Sequence, residues 1–335
     1  ICSLLKLREQ LAKYPDLSLR RNGAEVVYAT DETYGKKENL NKETPPLQSL
    51  NVASKNNFDG WRPSFEKADK HWAVIRLGCE ANIMGFKMDT SNVSKEEPVT
   101  ISVDAIHFSS SVEDWQLANF LDWDVIIKKT TITANDKHYF QCFTATPFTH
   151  VRLHLHRPGG ISRCRVYAEA YKDWGKLKDN EQIDLALITH GSKIIAHSNT
   201  HAGSINNIIA PEKSMSAEDG WLTKKNDGES DFQWVIIKLA HKGFVEKIIV
   251  DTYNFFEYRA RSCSLEYCIA ANDDDVLKNK VDWLNLLPKK GLKPHRENPF
   301  SGKDIVDHEA ITHVKLKIYP SGGLSRLRLI GSIKK

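Results

Sequence analysis

The chain carries one set of motifs twice in the same order, and this duplication limits the folds that it can adopt. An Asp-Gly-Trp triplet at residues 59–61 recurs at 219–221, and a Trp-containing apolar run at 71–77 recurs at 233–239. Four further pairs of segments keep the same order, roughly 160 residues apart. These pairs are 24–40 with 192–208, 89–90 with 251–252, 122–123 with 282–283, and 149–165 with 312–328. Six ordered matches predict two diverged copies of one domain, with the insertions in loops.

The matches divide the 335 residues into four segments. Repeat 1 is predicted over residues 23–170 and repeat 2 over residues 191–335, with residues 171–190 as the linker between them. Residues 1–22 form an N-terminal extension, in which leucines recur at helical spacing before Pro15. These leucines are Leu4, Leu7 and Leu11. The extension is therefore predicted to contain a short helix that acts as a docking element.

The matched segments alternate apolar and polar residues, which is the periodicity of strands that bury one face. Turn sequences rich in Gly and Pro separate these segments. The predicted fold class is all-β: two tandem jelly rolls, which are galactose-binding-like antiparallel β-sandwiches, with the short N-terminal helix. The residues predicted to fill buried strand positions are Val74, Ile75, Leu77, Val151, Leu153, Ile236, Ile237, Leu239, Val314 and Leu316.

Composition excludes several other classes of protein. Hydrophobic residues make up 41% of the chain and charged residues 27%, as in globular domains and unlike disordered or fibrous chains. The formal charge of +4 is spread over the whole chain, so no nucleic-acid partner is predicted. The apolar runs fall short of the ~20 residues that cross a bilayer, so no transmembrane segment is predicted.

Six cysteines without a Cys-x-x-Cys pair indicate neither a zinc ribbon nor a disulfide framework. Cys263 and Cys268 are five residues apart in an apolar run, and an odd spacing turns two side chains to opposite faces of a strand. A bond between these two thiols is therefore not expected. We expect a soluble protein of a reducing intracellular compartment, the cytoplasm or the mitochondrion.

Two motifs could bind a polar ligand. The Asp-Gly-Trp loop offers a carboxylate beneath an indole face, although a turn anchored in the core by its Trp would have the same sequence. The Gly-Gly-x-Ser-Arg-x-Arg segment places two guanidinium groups on one strand face, where they could bind a carboxylate or phosphate. A solvated strand face is the alternative for these arginines. The arginines are Arg163 and Arg165 in repeat 1 and Arg326 and Arg328 in repeat 2.

A metal site receives little support from the sequence. His154 and His156 share a strand face, but no third ligand stands nearby at suitable spacing. Repeat 2 has Lys317 and Tyr319 at these positions. Phosphate-binding loops, nucleophile elbows and His-Glu-x-x-His runs are absent from the sequence. We therefore predict no metal and no cofactor.

The ordered motifs resemble those of the allantoicase family, over residues 23–335. The resemblance rests on Asp-Gly-Trp, the Trp-containing strand with its following Asp-Thr, and the Thr-His-Val strand with its Gly-Gly-x-Ser-Arg-x-Arg return. It implies two jelly-roll domains, and an enzyme that hydrolyses allantoate to ureidoglycolate and urea.

Several polar motif residues of that family are replaced in this chain. The family continues Asp-Gly-Trp with Glu-Thr-Arg-Arg, whereas only Lys224 and Lys225 stand for the arginine pair here, in repeat 2. The family's His after Asp-Thr is replaced by Asn254 in repeat 2, and the Asp before Gly-Gly is lost from both repeats. These losses predict a non-catalytic member of the family, acting as a structural or interaction subunit of a larger assembly or as a homo-oligomer.

The alternative is an active allantoicase with an altered site, most of it in repeat 2, that acts on a small ureido substrate. Binding of a small ligand or sugar at the edge of a sandwich is a third hypothesis. For an active enzyme the predicted catalytic residues are Asp219, Lys224 and Asp251. The predicted substrate-binding residues are Trp221, Thr223, Lys225, Arg326 and Arg328 in repeat 2, with Asp59, Trp61, Arg163 and Arg165 in repeat 1.

Overall fold

Two compact units, Ile1–Tyr171 and Lys172–Lys335, make up the chain in its computed structural model. The structure describes residues 2–47, 58–93, 98–108, 113, 116–117, 120, 122–225 and 231–335. Each unit is built from antiparallel strands, and a short helix α1 (Cys2–Leu11) stands at the N-terminus. The predicted all-β class is thereby confirmed. Within the described residues, every helix is too short or too polar to cross a membrane.

Repeat 1 consists of seven strands around one long central strand. The strands are β1 (Glu25–Ala29), β2 (His71–Asp89), β3 (Val99–Ile106), β4 (Asp124–Ile132), β5 (Lys137–Gln141), β6 (Phe148–Leu155) and β7 (Arg163–Ala170). Hydrogen bonding gives the order β1-β2-β6-β3-β4, and β5 and β7 also pair with β2.

Repeat 2 follows the same plan with additional short strands and a helix α2 (Asp273–Leu277). Its strands are β8 (Ile183–Asp184), β9 (Lys193–His197), β10 (Ala202–Gly203), β11 (Trp221–Leu222), β12 (Gln233–Asp251), β13 (Ser262–Cys268), β14 (Leu284–Gly291), β15 (Glu297–Ser301), β16 (Ile311–Tyr319), β17 (Gly323–Leu324) and β18 (Arg326–Ile333). The main order is β14-β13-β16-β12-β18-β8, with β9 and β15 on β12, while β10-β11-β17 form a separate small sheet.

The long strands β2 and β12 belong to both layers of their sandwiches. The first half of β2 pairs with β1 and β6, and its second half pairs with β5 and β7. The pairing of β2 with β6 shifts register between Arg76 and Ala81, where the strand passes from one layer to the other. In β12 the corresponding shift lies between Lys238 and Gly243. Such irregularities let one strand bend sharply enough to serve two layers.

Buried side chains from both layers meet in the core of each sandwich. All ten residues predicted to be buried are buried. Val74 and Ile236, however, face away from the main core, where Val74 packs with Leu117 and Trp123 and Ile236 packs with Val276 of α2. Strands covered on both faces lose the simple alternation of apolar and polar residues, which explains the consecutive apolar pairs in both repeats.

Packing extends each repeat on the N-terminal side of the starts predicted at residues 23 and 191. Leu17 and Leu185 are fully buried, and their backbone N–H groups donate to Val166 and Leu329 carbonyls. Strand β8, inside the predicted linker, pairs with β18. A short Asp-Leu-x-Leu segment at 16–19 recurs at 184–187 and is the sequence signal of this extension.

Helix α1 is attached to repeat 1 by its C-terminal end. Leu11 is buried, and a Cβ at Gly85 of β2 would collide with its side chain. Leu4 and Leu5, at the other end of α1, are half exposed. The docking role of this helix stays a prediction.

The two cysteines of β13 lie on opposite faces of that strand, as their spacing predicts. Cys263 packs in the main core of repeat 2, whereas Cys268 packs with Ile236 and Val276 on the outer side. Burial raises the pKa of the Cys263 thiol to about 12 and that of Cys268 to about 11. Both thiols therefore stay protonated and unreactive at neutral pH.

We expect Leu153→Ala in β6 and Leu316→Ala in β16 each to lower the free energy of unfolding by about 2–5 kcal/mol, because both remove fully buried methyl groups. Leu284→Ala, at an exposed position of β14, is the matched control and should change it by less than about 0.5 kcal/mol. Guanidinium unfolding followed by tryptophan fluorescence measures the difference. Core variants as stable as the control would contradict this assignment of the core.

Candidate functional site

Three motifs that are distant in sequence meet at one end of each sandwich. In repeat 2 the strand after Asp-Gly pairs with both β10 and β17, so the Asp-Gly-Trp loop lies beside the Gly-Gly return. The loop after β12 joins them, since Gly323 N–H donates to the Tyr258 carbonyl at 2.7 Å. We call this surface the rim of repeat 2, formed by residues 199–203, 212–224, 251–260, 295 and 321–326. The rim of repeat 1 is formed by residues 31–35, 42–47, 58–64, 89–93, 135 and 159–163.

The tryptophans of the Asp-Gly-Trp motifs anchor the two rims. Trp61 and Trp221 are completely buried. The indole N–H of Trp61 donates to the Asp31 carbonyl at 2.9 Å, and that of Trp221 donates to the Asn199 carbonyl at 3.0 Å. A buried ring offers no face to a ligand, so the structure gives both residues a packing role in place of the predicted substrate contact.

The first arginine of each return strand forms an ion pair with the aspartate of the Asp-Gly-Trp loop. Arg163 Nη2 lies 2.7 Å from Asp59 Oδ2, and Arg326 Nη2 lies 3.0 Å from Asp219 Oδ2. Both arginines are at most 2% exposed, and their other N–H groups donate to backbone carbonyls of the rim. We call each pair the clamp of its repeat. The clamp arginines therefore stabilise loops and are not available for the predicted substrate contact.

The second arginine of each return strand is also used internally. Arg165 Nε lies 3.3 Å from Asp16 Oδ2, and Arg328 Nε lies 3.5 Å from Asp184 Oδ2. Both side chains also donate to backbone carbonyls, Arg165 to that of Leu40 and Arg328 to that of Pro211. These contacts replace both the predicted substrate contact and the alternative of a solvated strand face.

The two clamp aspartates differ in their remaining contacts. In repeat 1, Asp59 Oδ1 accepts from Lys42 Nζ at 2.9 Å, and Oδ2 accepts from Leu47 N–H at 2.9 Å. In repeat 2, Ala210 stands at the position of Lys42, and Asp219 Oδ1 is buried with no hydrogen-bond partner among the described residues. A buried carboxylate oxygen without a donor is costly, so Oδ1 of Asp219 is the point at which the two clamps differ most.

Asp251 is a buried carboxyl at the end of β12. In the sheet it lies between Glu297 of β15 and Arg326 of β18, and its Oδ1 accepts from Tyr253 N–H at 2.8 Å. Burial, reinforced by the neighbouring charge of Glu297, raises the pKa of Asp251 above its usual range. A carboxyl with a raised pKa is suited to exchanging protons.

The remaining predicted site residues follow the Asp-Gly-Trp loop of repeat 2. Thr223 is buried, and its hydroxyl donates to the Gly322 carbonyl and accepts from Gly322 N–H, so it joins the two loops. Lys224 and Lys225 are exposed, and Lys224 is positioned by its backbone N–H, which donates to Asn199 Oδ1 at 2.8 Å. Lys224, predicted as catalytic, and Lys225, predicted as substrate-binding, thus both lie at the exposed surface of the rim.

Sequence reasoning missed an aromatic cluster at the rim of repeat 2. The His295 ring stacks between Tyr253, at a centroid distance of 4.3 Å, and Phe256, at 4.2 Å. Asn254 N–H donates to His295 Nδ1 at 3.1 Å. His295 lies in the loop between β14 and β15, outside every repeated motif, so no sequence pattern marked it.

The rim of repeat 1 carries a cavity of about 310 Å³ beside its clamp. Its volume is within the range of sites for small molecules. The lining residues are Glu32, Thr33, Tyr34, Gly35, Lys36, Asn39, Phe58 and Asp59.

The two histidines considered as metal ligands have protein partners. His154 Nε2 lies 3.0 Å from Asp104 Oδ2, and His156 Nε2 lies 2.8 Å from Ser102 Oγ. In the part of the chain that the structure describes, no group of three or more His, Cys, Asp or Glu side chains is arranged to bind a metal ion.

Comparison with known sequences finds similarity throughout both repeats. The family model for the allantoicase repeat matches residues 15–171 and 183–334. A probable allantoicase of Pseudomonas fluorescens Pf-5 is 33% identical over 330 residues, which cover 96% of this chain and 97% of that protein. The allantoicase of Dictyostelium discoideum is 33% identical over 311 residues, 92% of this chain and 84% of that protein.

Solved structures show the same similarity. The crystal structure of allantoicase from Saccharomyces cerevisiae matches with a TM-score of 0.82 and 26% identity, over 99% of this chain and 98% of that one. A second structure of allantoicase matches with a TM-score of 0.79 and 27% identity, over 96% of this chain and 94% of that one.

The prediction of a non-catalytic structural or interaction subunit is wrong. Proteins that match nearly the whole of this chain at about 33% identity are named for an enzyme. The prediction rested on the replaced polar residues of the motifs, whereas Trp221, Arg326 and Arg328, which the chain keeps, pack or form ion pairs within the protein. Motif residues that hold the rim together therefore do not indicate whether the protein is catalytically active.

The clamp of repeat 1 predicts a specific dependence of stability on pH. Burial acts to raise the pKa of Asp59, but donors from Leu47, Arg163 and Lys42 outweigh it and lower the pKa to about 2. An aspartate in an unfolded chain has a pKa of about 3.9. Because the folded pKa is the lower one, the Asp59 carboxylate contributes stability above about pH 4 that is lost as the pH falls towards 2.

We therefore expect Asp59→Asn to be less stable than the wild type at pH 5, and the difference to shrink between about pH 4 and pH 2. Chemical unfolding across this pH range measures it. Asp122→Asn, at an exposed position of repeat 1, is the control and should follow the wild type throughout. A difference that stays constant with pH would contradict the assignment.

Proposed function

This chain belongs to the allantoicase family, and we propose that it is an active allantoicase that hydrolyses allantoate to ureidoglycolate and urea. The observation that carries the proposal is similarity to proteins named allantoicase along 96% of the chain, through both repeats. Its finer points, the position of the site and the role of each residue, rest on the contacts at the rim of repeat 2.

The reaction sets three chemical requirements. Water adds its hydroxyl to the central carbon of allantoate, the carbon–nitrogen bond to one ureido group breaks, and the released nitrogen gains a proton to give urea. A site for this reaction needs groups that exchange protons, acceptors and donors for the ureido group, and a cation for the substrate carboxylate.

We place the working site in repeat 2 because of the difference between the two clamp aspartates. Asp59 has donors on both carboxylate oxygens, whereas Asp219 Oδ1 is buried without a partner among the described residues. The N–H groups of a ureido substrate are donors of the kind that this oxygen lacks. In our proposal Asp219 binds the ureido group and its clamp with Arg326 fixes the carboxylate in place.

Two further elements of the rim meet the remaining requirements. Asp251, whose pKa is raised by burial, serves as the proton-exchanging group. Lys224 and Lys225 are exposed beside the Asp-Gly-Trp loop and bind the substrate carboxylate as point charges. These roles keep Asp251 as a catalytic residue and Lys225 as a binding residue, and they make Asp219 and Lys224, predicted as catalytic, substrate-binding residues.

We expect the purified full chain to release urea from allantoate in equal amount to ureidoglycolate, because the proposed site has all three kinds of group. A urease-coupled ammonia assay measures urea, with reactions lacking urease or protein as controls. Urea formation no faster than in the protein-free reaction, from folded protein, would refute the proposed function.

Asp219→Asn should lower kcat/KM for allantoate by roughly 10- to 100-fold, the effect of losing one hydrogen bond to a charged acceptor. Asp59→Asn is the matched variant, because it weakens the equivalent clamp in repeat 1. We expect both variants to lose stability and only Asp219→Asn to lose turnover. Equal activity in the two variants, or a larger loss in Asp59→Asn, would move the site out of repeat 2.

A further inference from the structure

We infer that His295 is a catalytic residue of the proposed site, donating a hydrogen bond from Nε2 to the carbonyl oxygen of the departing ureido group. The inference rests on the proposed function. As the carbon–nitrogen bond breaks, its electron pair stays on the ureido nitrogen and spreads to that carbonyl oxygen, until a proton from the site completes urea. A fixed donor at this oxygen stabilises the charge where it develops.

The hydrogen bond to Asn254 decides which nitrogen of the ring carries the proton. A backbone N–H can only donate, so Nδ1 of His295 accepts in the 3.1 Å contact and is unprotonated. The proton of the neutral imidazole is then on Nε2. Among the described residues Nε2 has no hydrogen-bond partner, and it is therefore available to a substrate acceptor.

Stacking fixes the direction of this donor. The His295 ring is 15° from parallel with Phe256 and 22° from parallel with Tyr253. Both aromatic side chains are substantially exposed, so the stack stands at the surface of the rim and not in the core. A donor held in place before the substrate binds needs no reorganisation during the reaction.

Contacts within the rim connect His295 to the same loop as Asp219. Asn254 Nδ2 donates to the Ser214 carbonyl at 3.0 Å, and the next residue, Met215, donates its backbone N–H to Asp219 Oδ2 at 3.1 Å. On the other side, Tyr253 N–H donates to Asp251. The proposed donor, acceptor and proton-exchanging group therefore belong to one connected part of repeat 2.

Repeat 1 keeps the backbone of this arrangement without the imidazole. Asn92 N–H donates to Asn135 Oδ1 at 3.0 Å, as Asn254 N–H does to His295. All four residues have left-handed φ angles. The angles are +65° for Asn92 and +56° for Asn135, and +67° for Asn254 and +51° for His295. Asn adopts this conformation more readily than most residues, and its side-chain oxygen accepts the hydrogen bond from Asn92 N–H. A structural role therefore explains Asn135. A histidine with exposed aromatic neighbours adds a second nitrogen, which has no hydrogen-bond partner in the part of the chain that the structure describes.

Two substitutions separate the two nitrogens of the ring. In His295→Asn the amide oxygen replaces Nδ1, which keeps the repeat 1 contact and removes the Nε2 donor. In His295→Gln the longer amide reaches the position of Nε2 and loses the acceptor for Asn254. A structural role predicts that the Asn variant is the more active, whereas the inference predicts that the Gln variant is.

The experiment measures kcat and KM for allantoate and thermal stability in the wild type, both variants and the control Asn135→His in repeat 1. We expect His295→Asn to keep wild-type stability and lose about 10²–10³-fold in kcat, as when an oxyanion donor is removed. His295→Gln should be less stable and yet more active than His295→Asn, and Asn135→His should keep wild-type kcat.

The outcomes distinguish this inference from the function on which it rests. A wild-type chain without urea release would refute the proposed function itself. An active wild type with kcat of His295→Asn within about threefold of it, or with His295→Asn more active than His295→Gln, would overturn the role of His295 and leave the proposed function standing.

Discussion

The rims depend on a buried guanidinium in each repeat. Arg163 donates to the Asp59 carboxylate and to the carbonyls of four rim residues, and Arg326 donates to the Asp219 carboxylate and to the carbonyls of three. A buried charge is tolerated only when it is paired and its hydrogen bonds are satisfied, so the loops must adopt the conformation that supplies these acceptors. The arrangement of the functional loops is thus determined by the needs of one side chain.

The two repeats share this arginine-centred framework and differ in the polar side chains that surround it. Lys42 donates to Asp59 Oδ1 in repeat 1, whereas Ala210 stands at its position in repeat 2 and Asp219 Oδ1 has no hydrogen-bond partner among the described residues. Asn135 provides an acceptor in repeat 1, and His295 provides an acceptor and an aromatic stack in repeat 2. Duplication therefore separates two tasks at the clamps, because repeat 1 satisfies both oxygens of its clamp aspartate internally while repeat 2 keeps one oxygen of Asp219 for the proposed substrate.

The duplication and the strand periodicity were enough to predict the fold class and the buried strand residues. The repeated motifs show that there are two domains, and the alternation of apolar and polar side chains shows which positions of a strand are buried. The arginine clamps could not be predicted in the same way. Their partners are mostly backbone carbonyls of loops, such as those of Thr44 and Glu212, which have no sequence signature. His295 escaped notice for a related reason, since its role depends on a left-handed loop that brings it beneath Asn254.

The register shift in the middle of β2 and of β12 determines which side chains face the core in the second half of each strand. Before it in β2, Ala73 and Ile75 face the core, and after it Phe86 and Met88 do, while Lys87 lies on the opposite face of the strand. Removing one residue from this segment would turn the second half of the strand over, sending Lys87 into the core and Phe86 and Met88 out of it. Loops of these domains can therefore vary in length during evolution, whereas the count of residues across the bend is fixed.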